Sequence, residues 1–308
     1  MSNAGKITTA EAPFNDYNCD CIIQSNDGVN FHVYKLVLSL MSPVFKDRFK
    51  SPQSESQSDK SPVHIMSVYE SSTPLRSVLL LCYPAATPTF DSLDDAKAVL
   101  RAAKQYGMQA ALSRAEELIV AQFLPDHFLD LYALSCQFGW KHHARTAATR
   151  ALEIKDLGRP CNGFEGLQDI TGADYHNLLV YHYGCGVAAQ QVGDDLSWLP
   201  PSSREMHLQM WTCKCRLAGG VKTLQIGNVG DLKIVPWFAE YLVSSGKELL
   251  ARPCESTIMK SKHYNQAMIE AAKCDDCKRK VIDDMDRFRA LYIAQVKKVV
   301  ADVELATS

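Results

Sequence analysis

The chain has 308 residues, room for two domains at roughly 100–200 residues each. Hydrophobic residues make up 46% and charged ones 22%, which is ordinary globular usage and excludes wholesale disorder. The net charge is −2, and the dense basic cluster Lys278-Arg279-Lys280 lies among Asp275, Asp276, Asp283 and Asp284, so no nucleic-acid partner is indicated.

No apolar run approaches the ~20 residues of a membrane span, and the first twenty residues lack the apolar core of a secretory signal, so no membrane partner is indicated. Eleven cysteines in that setting read as reduced thiols or metal ligands, in cytoplasm or nucleus.

The first strand is expected over residues 19–25, followed by the turn dipeptide Asp27-Gly28 and an alternating run over 29–34. Together they predict a hairpin. From Leu36 the period lengthens: Leu36, Leu40, Val44, Phe45 and Phe49 are expected on one helical face, with Pro43 as a break or bend. Residues 51–62 form a polar, Ser-rich connection, with Ser51-Pro52 and Ser61-Pro62 as phosphorylation candidates. Residues 63–66 predict a third strand, and helices follow over 73–83, from Asp91 to Gly107, and over 110–123. Asp94 and Asp95 sit where acids favour a helix N-terminus.

These residues carry a family resemblance. The succession Asp20-Cys21-Ile22-Ile23, Phe31-His32-Val33-Tyr34-Lys35-Leu36-Val37-Leu38, Met41-Ser42-Pro43-Val44-Phe45 and Leu79-Leu80-Leu81-Cys82-Tyr83 resembles the BTB/POZ signature over residues 14–122. The resemblance implies a small three-stranded sheet packed by helices, with a role in protein–protein association. Tyr83-Pro84, Leu178 to Gly186 and Trp211 to Cys215 are further similar to BTB proteins of mushroom-forming fungi.

Helical stretches at 126–138 and 142–154 are expected to extend the BTB core over residues 123–160, and Gly158-Arg159-Pro160 with Asn162-Gly163 to mark a boundary. The remaining 165–308 predict a mainly helical domain with helices near 174–192, 235–250 and 277–305. In the last helix, Val281, Met285, Phe288, Leu291, Tyr292, Val296, Val299 and Val303 form an apolar stripe that packs into its own domain. The fold class is thus α+β, a BTB/POZ fold with a helical extension and a mainly helical C-terminal domain.

Cys213-x-Cys215 and Cys274-x-x-Cys277 are the chief chemical signal. Two closely spaced pairs can present four thiolates to one tetrahedral, structural zinc. The C-x-C spacing is tighter than usual and 58 residues separate the pairs, so buried thiols without a metal stand beside zinc. Redox chemistry at Cys274-x-x-Cys277 is the third reading, opposed by the charge of Asp275 and Asp276. His182 with Cys185 reads as helix packing before metal binding, His32 as a fold residue, and Trp198, Trp211 and Trp237 as core anchors. Gly227-x-x-Gly230 lacks the third glycine of a dinucleotide loop and reads as a turn. No hydrolase triad, metalloprotease or phosphate-loop motif appears.

The function expected is a non-enzymatic scaffold or adaptor acting through the BTB domain, with protein partners that include a cullin or a second copy of the chain. Against the cullin stands the linker Gln53-Ser54-Glu55, where the family's cullin adaptors carry an apolar-x-Glu motif. A thiol redox enzyme and a transcription-associated BTB regulator are the alternatives.

Overall fold

In the first hundred residues a period of two gives way to helical spacing, and the structure follows that change closely. The structure is a computed structural model describing residues 7–50, 63–83, 87–200, 208–217, 222–226 and 230–306. Outside it fall the serine-rich connection with both Ser-Pro pairs and Gln53-Ser54-Glu55, as well as Pro84 and Gly227. Contacts divide the chain into two units, residues 1–127 and 128–308.

The first unit is built on strands β1 (Thr8–Thr9), β2 (Cys21–Gln24), β3 (Val29–Val33) and β4 (His64–Ser67), in sheet order β1-β3-β2-β4. The hairpin expected from Asp27-Gly28 is present as antiparallel β2–β3, with Gly28 at φ 84°, a left-handed conformation that costs glycine little. The three expected strands are joined by the two-residue β1, which pairs parallel with β3. Alternation points Cys21, Ile23, Phe31 and Val33 inward, all at most 1% exposed. Helices α1 (Lys35–Met41), α2 (Pro43–Lys50), α3 (Ser72–Cys82), α4 (Leu93–Gln105) and α5 (Gln109–Phe123) complete the unit. Gly107 at φ 63° ends α4 where expected.

One expectation on α1 and α2 fails. Leu36 and Leu40 are 70% and 77% exposed, and Leu38 is the residue that α1 buries. Within α1 it is the face of Leu38 that meets the core, and because Ser42 is extended the helix ends before Pro43 and α2 starts afresh with Phe45 buried.

The second unit begins with α6 (Phe128–Phe138) and α7 (Lys141–Ala151), which pack through Ala144, Ala147, Ala148 and Ala151. These helices, read from the sequence as an extension of the first domain, make their contacts inside the second unit. Tyr132 Oη donates to Asp174 O at 2.8 Å, the Asp130 carboxylate accepts from Gly166 N at 2.6 Å, and Asp156 N donates to Ala251 O at 2.8 Å. The glycines and proline at 158–163 therefore lie in a turn within the unit.

The centre of this unit is α8 (Gly172–Gln191) against α10 (Pro236–Ala251) and α13 (Val281–Ala301), with short α9 (Gln209–Thr212), hairpin β5 (Thr223–Ile226) and β6 (Gly230–Lys233), and α11 (Glu255–Met259) and α12 (Lys262–Ala271) around it. Aromatic rings fill the interior: Phe238 meets Phe288 edge-on at 4.8 Å, and Phe288 stacks on Tyr292 at 5.4 Å. Of the expected stripe of α13, Val281, Met285, Phe288, Tyr292 and Val296 are buried and the buried face continues through Val300, while Leu291, Val299 and Val303 are only half-buried.

Candidate functional site

The four cysteines of the two pairs converge. Cys213 follows the last residue of α9, and Cys215 lies two residues further in a 3-10 turn over Lys214–Leu217. Cys274 follows α12, and Cys277 opens the 3-10 turn Cys277–Arg279 that leads into α13. Each pair is bent by a local turn: Arg216 N donates to Cys213 O, and Lys278 N donates to Cys274 O at 3.0 Å. All four Sγ atoms lie within 4.8 Å of one another, and the short contacts run across the pairs, Cys213 to Cys274 at 3.6 Å and Cys215 to Cys277 at 3.5 Å. Among the described residues this is the one group of three or more His, Cys, Asp or Glu side chains close enough to share a metal.

The spacing suits a tetrahedral ion. Sulfurs held ~2.3 Å from zinc stand ~3.8 Å apart, whereas a disulfide needs ~2.05 Å. Burial raises the Cys277 thiol and pushes Cys215 up to about 12, so both stay protonated unless a cation displaces their protons. Cys274 goes the other way, down to about 7, because the backbone amides of Cys277 and Asp276 donate to its sulfur. Against the charge of Asp275 and Asp276 stand the amides that the turn aims at the sulfur and the engagement of Asp275 by Lys278 at 2.5 Å. Lys214, Arg216, Lys278, Arg279 and Lys280 flank the ligands in sequence and oppose the negative charge of a tetrathiolate centre.

Trp237 was not legible as part of this site. It is the second residue of α10, whose start is tied beside α9 by Val235 N donating to Met210 O at 2.8 Å. Its indole Nε1 is buried and makes no hydrogen bond, and its side chain lies beside Cys277. No sequence spacing links position 237 to position 277; only folding brings them together.

His182 and Cys185 are not part of a metal group. His182 Nε2 donates to Ile154 O at 2.9 Å, and Cys185 is fully buried against α13. The tryptophans Trp198, Trp211 and Trp237 are interior or half-buried residues, and Gly230, at φ 96°, turns the chain into β6.

In the first unit, the signature residues have structural duties. The Asp20 carboxylate accepts from Lys35 N at 2.7 Å and so caps the first turn of α1. Tyr83 Oη accepts from Tyr34 N at 3.1 Å, and Ser42 Oγ donates to Tyr106 O at 2.5 Å. His32 is buried with Nδ1 3.1 Å from Asp16 O, under the Tyr17 ring, which makes it a fold residue as expected. What this framework leaves in solvent is an apolar pair one turn apart on α1, Leu36 and Leu40.

The family profile of the BTB/POZ domain matches residues 12–122. The chain carries a BTB/POZ domain. Among solved structures, the chain is similar to the BTB domain of zebrafish PATZ1 at 21% identity, covering 34% of this chain and 78% of that one, with a TM-score of 0.26. No curated protein matches it. A BTB domain supports a general role in protein association, and its sheet, caps and helices are those just described. Outside the BTB domain the second unit is mainly helical. Among the described residues, no helix is long and apolar enough to cross a membrane.

Proposed function

We propose that the chain is a protein-association scaffold or adaptor whose BTB domain engages a protein partner through α1, while the second unit is held together by one structural zinc. The observation that carries the association reading is the exposed Leu36–Leu40 pair on a domain built for association. A helix that keeps two leucines in water one turn apart has the form of an anchor for another protein's groove.

Full-length tagged protein and the double variant Leu36→Glu, Leu40→Glu are compared for co-purifying proteins by quantitative mass spectrometry. Both side chains are exposed, so the variant keeps its fold. A cullin captured by the parent and lost from the variant supports the narrower role of ubiquitin-ligase substrate adaptor, with the second unit as substrate reader. Other proteins lost in the same way support a scaffold, including a transcription-associated one. Identical protein sets from both chains sink the α1 reading.

Cys213, Cys215, Cys274 and Cys277 are the proposed zinc ligands. Closed four-thiolate coordination leaves no open position for substrate, so the ion serves folding. Metal analysis of the purified chain is expected to return one zinc per molecule, and Cys277→Ser to lose it. The Cys274 thiol near 7 favours a second reading, a thiol redox enzyme. That reading requires a dithiol turnover lost in Cys274→Ser without loss of folding, the opposite of the zinc outcome.

A further inference from the structure

A buried indole N–H without an acceptor is costly, because the group gives up its bond to water and gains nothing in return. Trp237 is 8% exposed, and its Nε1 is sealed from solvent. The side chain lies beside Cys277, whose sulfur is itself fully buried and makes no hydrogen bond with the indole. A neutral thiol is a weak acceptor and leaves the N–H poorly satisfied. A metal-bound thiolate carries negative charge and accepts strongly. Cys274 has its own donors, since the amides of Cys277 and Asp276 point at its sulfur. Cys277 sits too deep for water to do the same.

Resting on the zinc reading above, we infer that Trp237 is a positioning residue of the metal centre, its Nε1–H donating to the Cys277 thiolate and fixing that ligand's orientation. Outer partners of this kind typically change metal affinity ~10–100-fold when removed. The indole therefore couples the start of α10 to the ion, and through it to the turn that begins α13. It also satisfies the one buried donor beside the cluster that the apo chain leaves orphaned.

The test uses the full chain and Trp237→Phe, which keeps the ring and removes the N–H. Both are loaded with Co(II), and sulfur-to-cobalt charge-transfer bands and the rate of metal transfer to a chelator are recorded. The expected result is a band shift to longer wavelength in the variant, since a thiolate without its donor is easier to oxidise, with chelator transfer faster by about tenfold or more. Unchanged bands and unchanged transfer overturn the inference while leaving the zinc centre intact. A parent chain that takes up no Co(II) overturns both, so the two failures are distinct. Should the variant not fold, the parent loaded with cadmium-113 gives an independent readout. Scalar coupling between the ion and the Trp237 indole proton supports the inference, and coupling to none of the four tryptophan indoles overturns it.

Discussion

The two units bury sulfur in different ways. In the BTB domain Cys19, Cys21 and Cys82 are dispersed, each buried in an apolar interior, and burial pushes Cys21 and Cys82 up to about 12. Such thiols act as small hydrophobes that fill space. In the second unit four thiols share one 4.8 Å neighbourhood, with two backbone amides and an indole beside them. Burial alone makes a cysteine inert, whereas convergence with N–H donors makes a ligand set. The first unit closes its core around a sheet, whereas the second brings α9, α12 and the turn before α13 together at the cluster.

Chelation is the strongest way to break that contrast. Stripping metal from the full chain is expected to lower a second-unit unfolding transition by about 10 °C or more in calorimetry, because metal binding energy is folding energy there. The BTB transition should stay in place. A single transition unmoved by the chelator removes the distinction between the units.

Gly186→Ala comes next. A Cβ at position 186 would stand 2.3 Å from Leu250 O, where α8 and α10 cross, and this backbone cannot yield cheaply. A loss of about 3 kcal/mol is expected in denaturant titration of the second unit. Gly163→Ala, with open space around its Cβ, is the control expected to change little.

Helix caps should treat the units alike. Ser92 Oγ accepts from Asp95 N at 3.1 Å in the first unit, and Thr171 Oγ1 accepts from Asp174 N at 3.1 Å in the second. Ser92→Ala and Thr171→Ala are each expected to cost about 1 kcal/mol in their own unit's transition. A Thr171→Ala effect on the BTB transition would mean that the units unfold together.

The smallest effect is in pH. Burial holds His182 below its ordinary 6.5, while the backbone carbonyl of Ile154 opposes the shift. The unfolded chain then binds the proton more readily, so this contribution is complete above about pH 6.5 and fades as pH falls through the lower folded value. Melting of the second unit between pH 7.5 and 5.5 should decline less in His182→Gln than in the parent.

Much of the first unit was legible because its signals are local. The Asp27-Gly28 turn, the alternation at 29–33 and Gly107 act within a few residues, and strands and helices formed where they pointed. Leu36 and Leu40 were misread because apolar spacing does not say which face of a seven-residue helix meets the core, and it is Leu38 that does. In the second unit the long helices were legible, but hairpin β5–β6 and the two helices α11 and α12 were not, being short elements without a sustained period. The helices α6 and α7 carried no mark of which unit they would join. Their polar tethers, Asp130 to Gly166 and Tyr132 to Asp174, span 36 and 42 residues.

By itself the sequence determined the BTB/POZ domain, the succession of long helices and the identity of four cysteines in two close pairs, since each is written in neighbouring residues. Only the tertiary structure decided that the pairs meet across 61 and 62 residues, that Trp237 lies beside Cys277, and that Leu36 and Leu40 remain in water. The physical reason is common to all three. Each depends on which surfaces pack together, and packing partners distant in the chain leave no periodic trace along it.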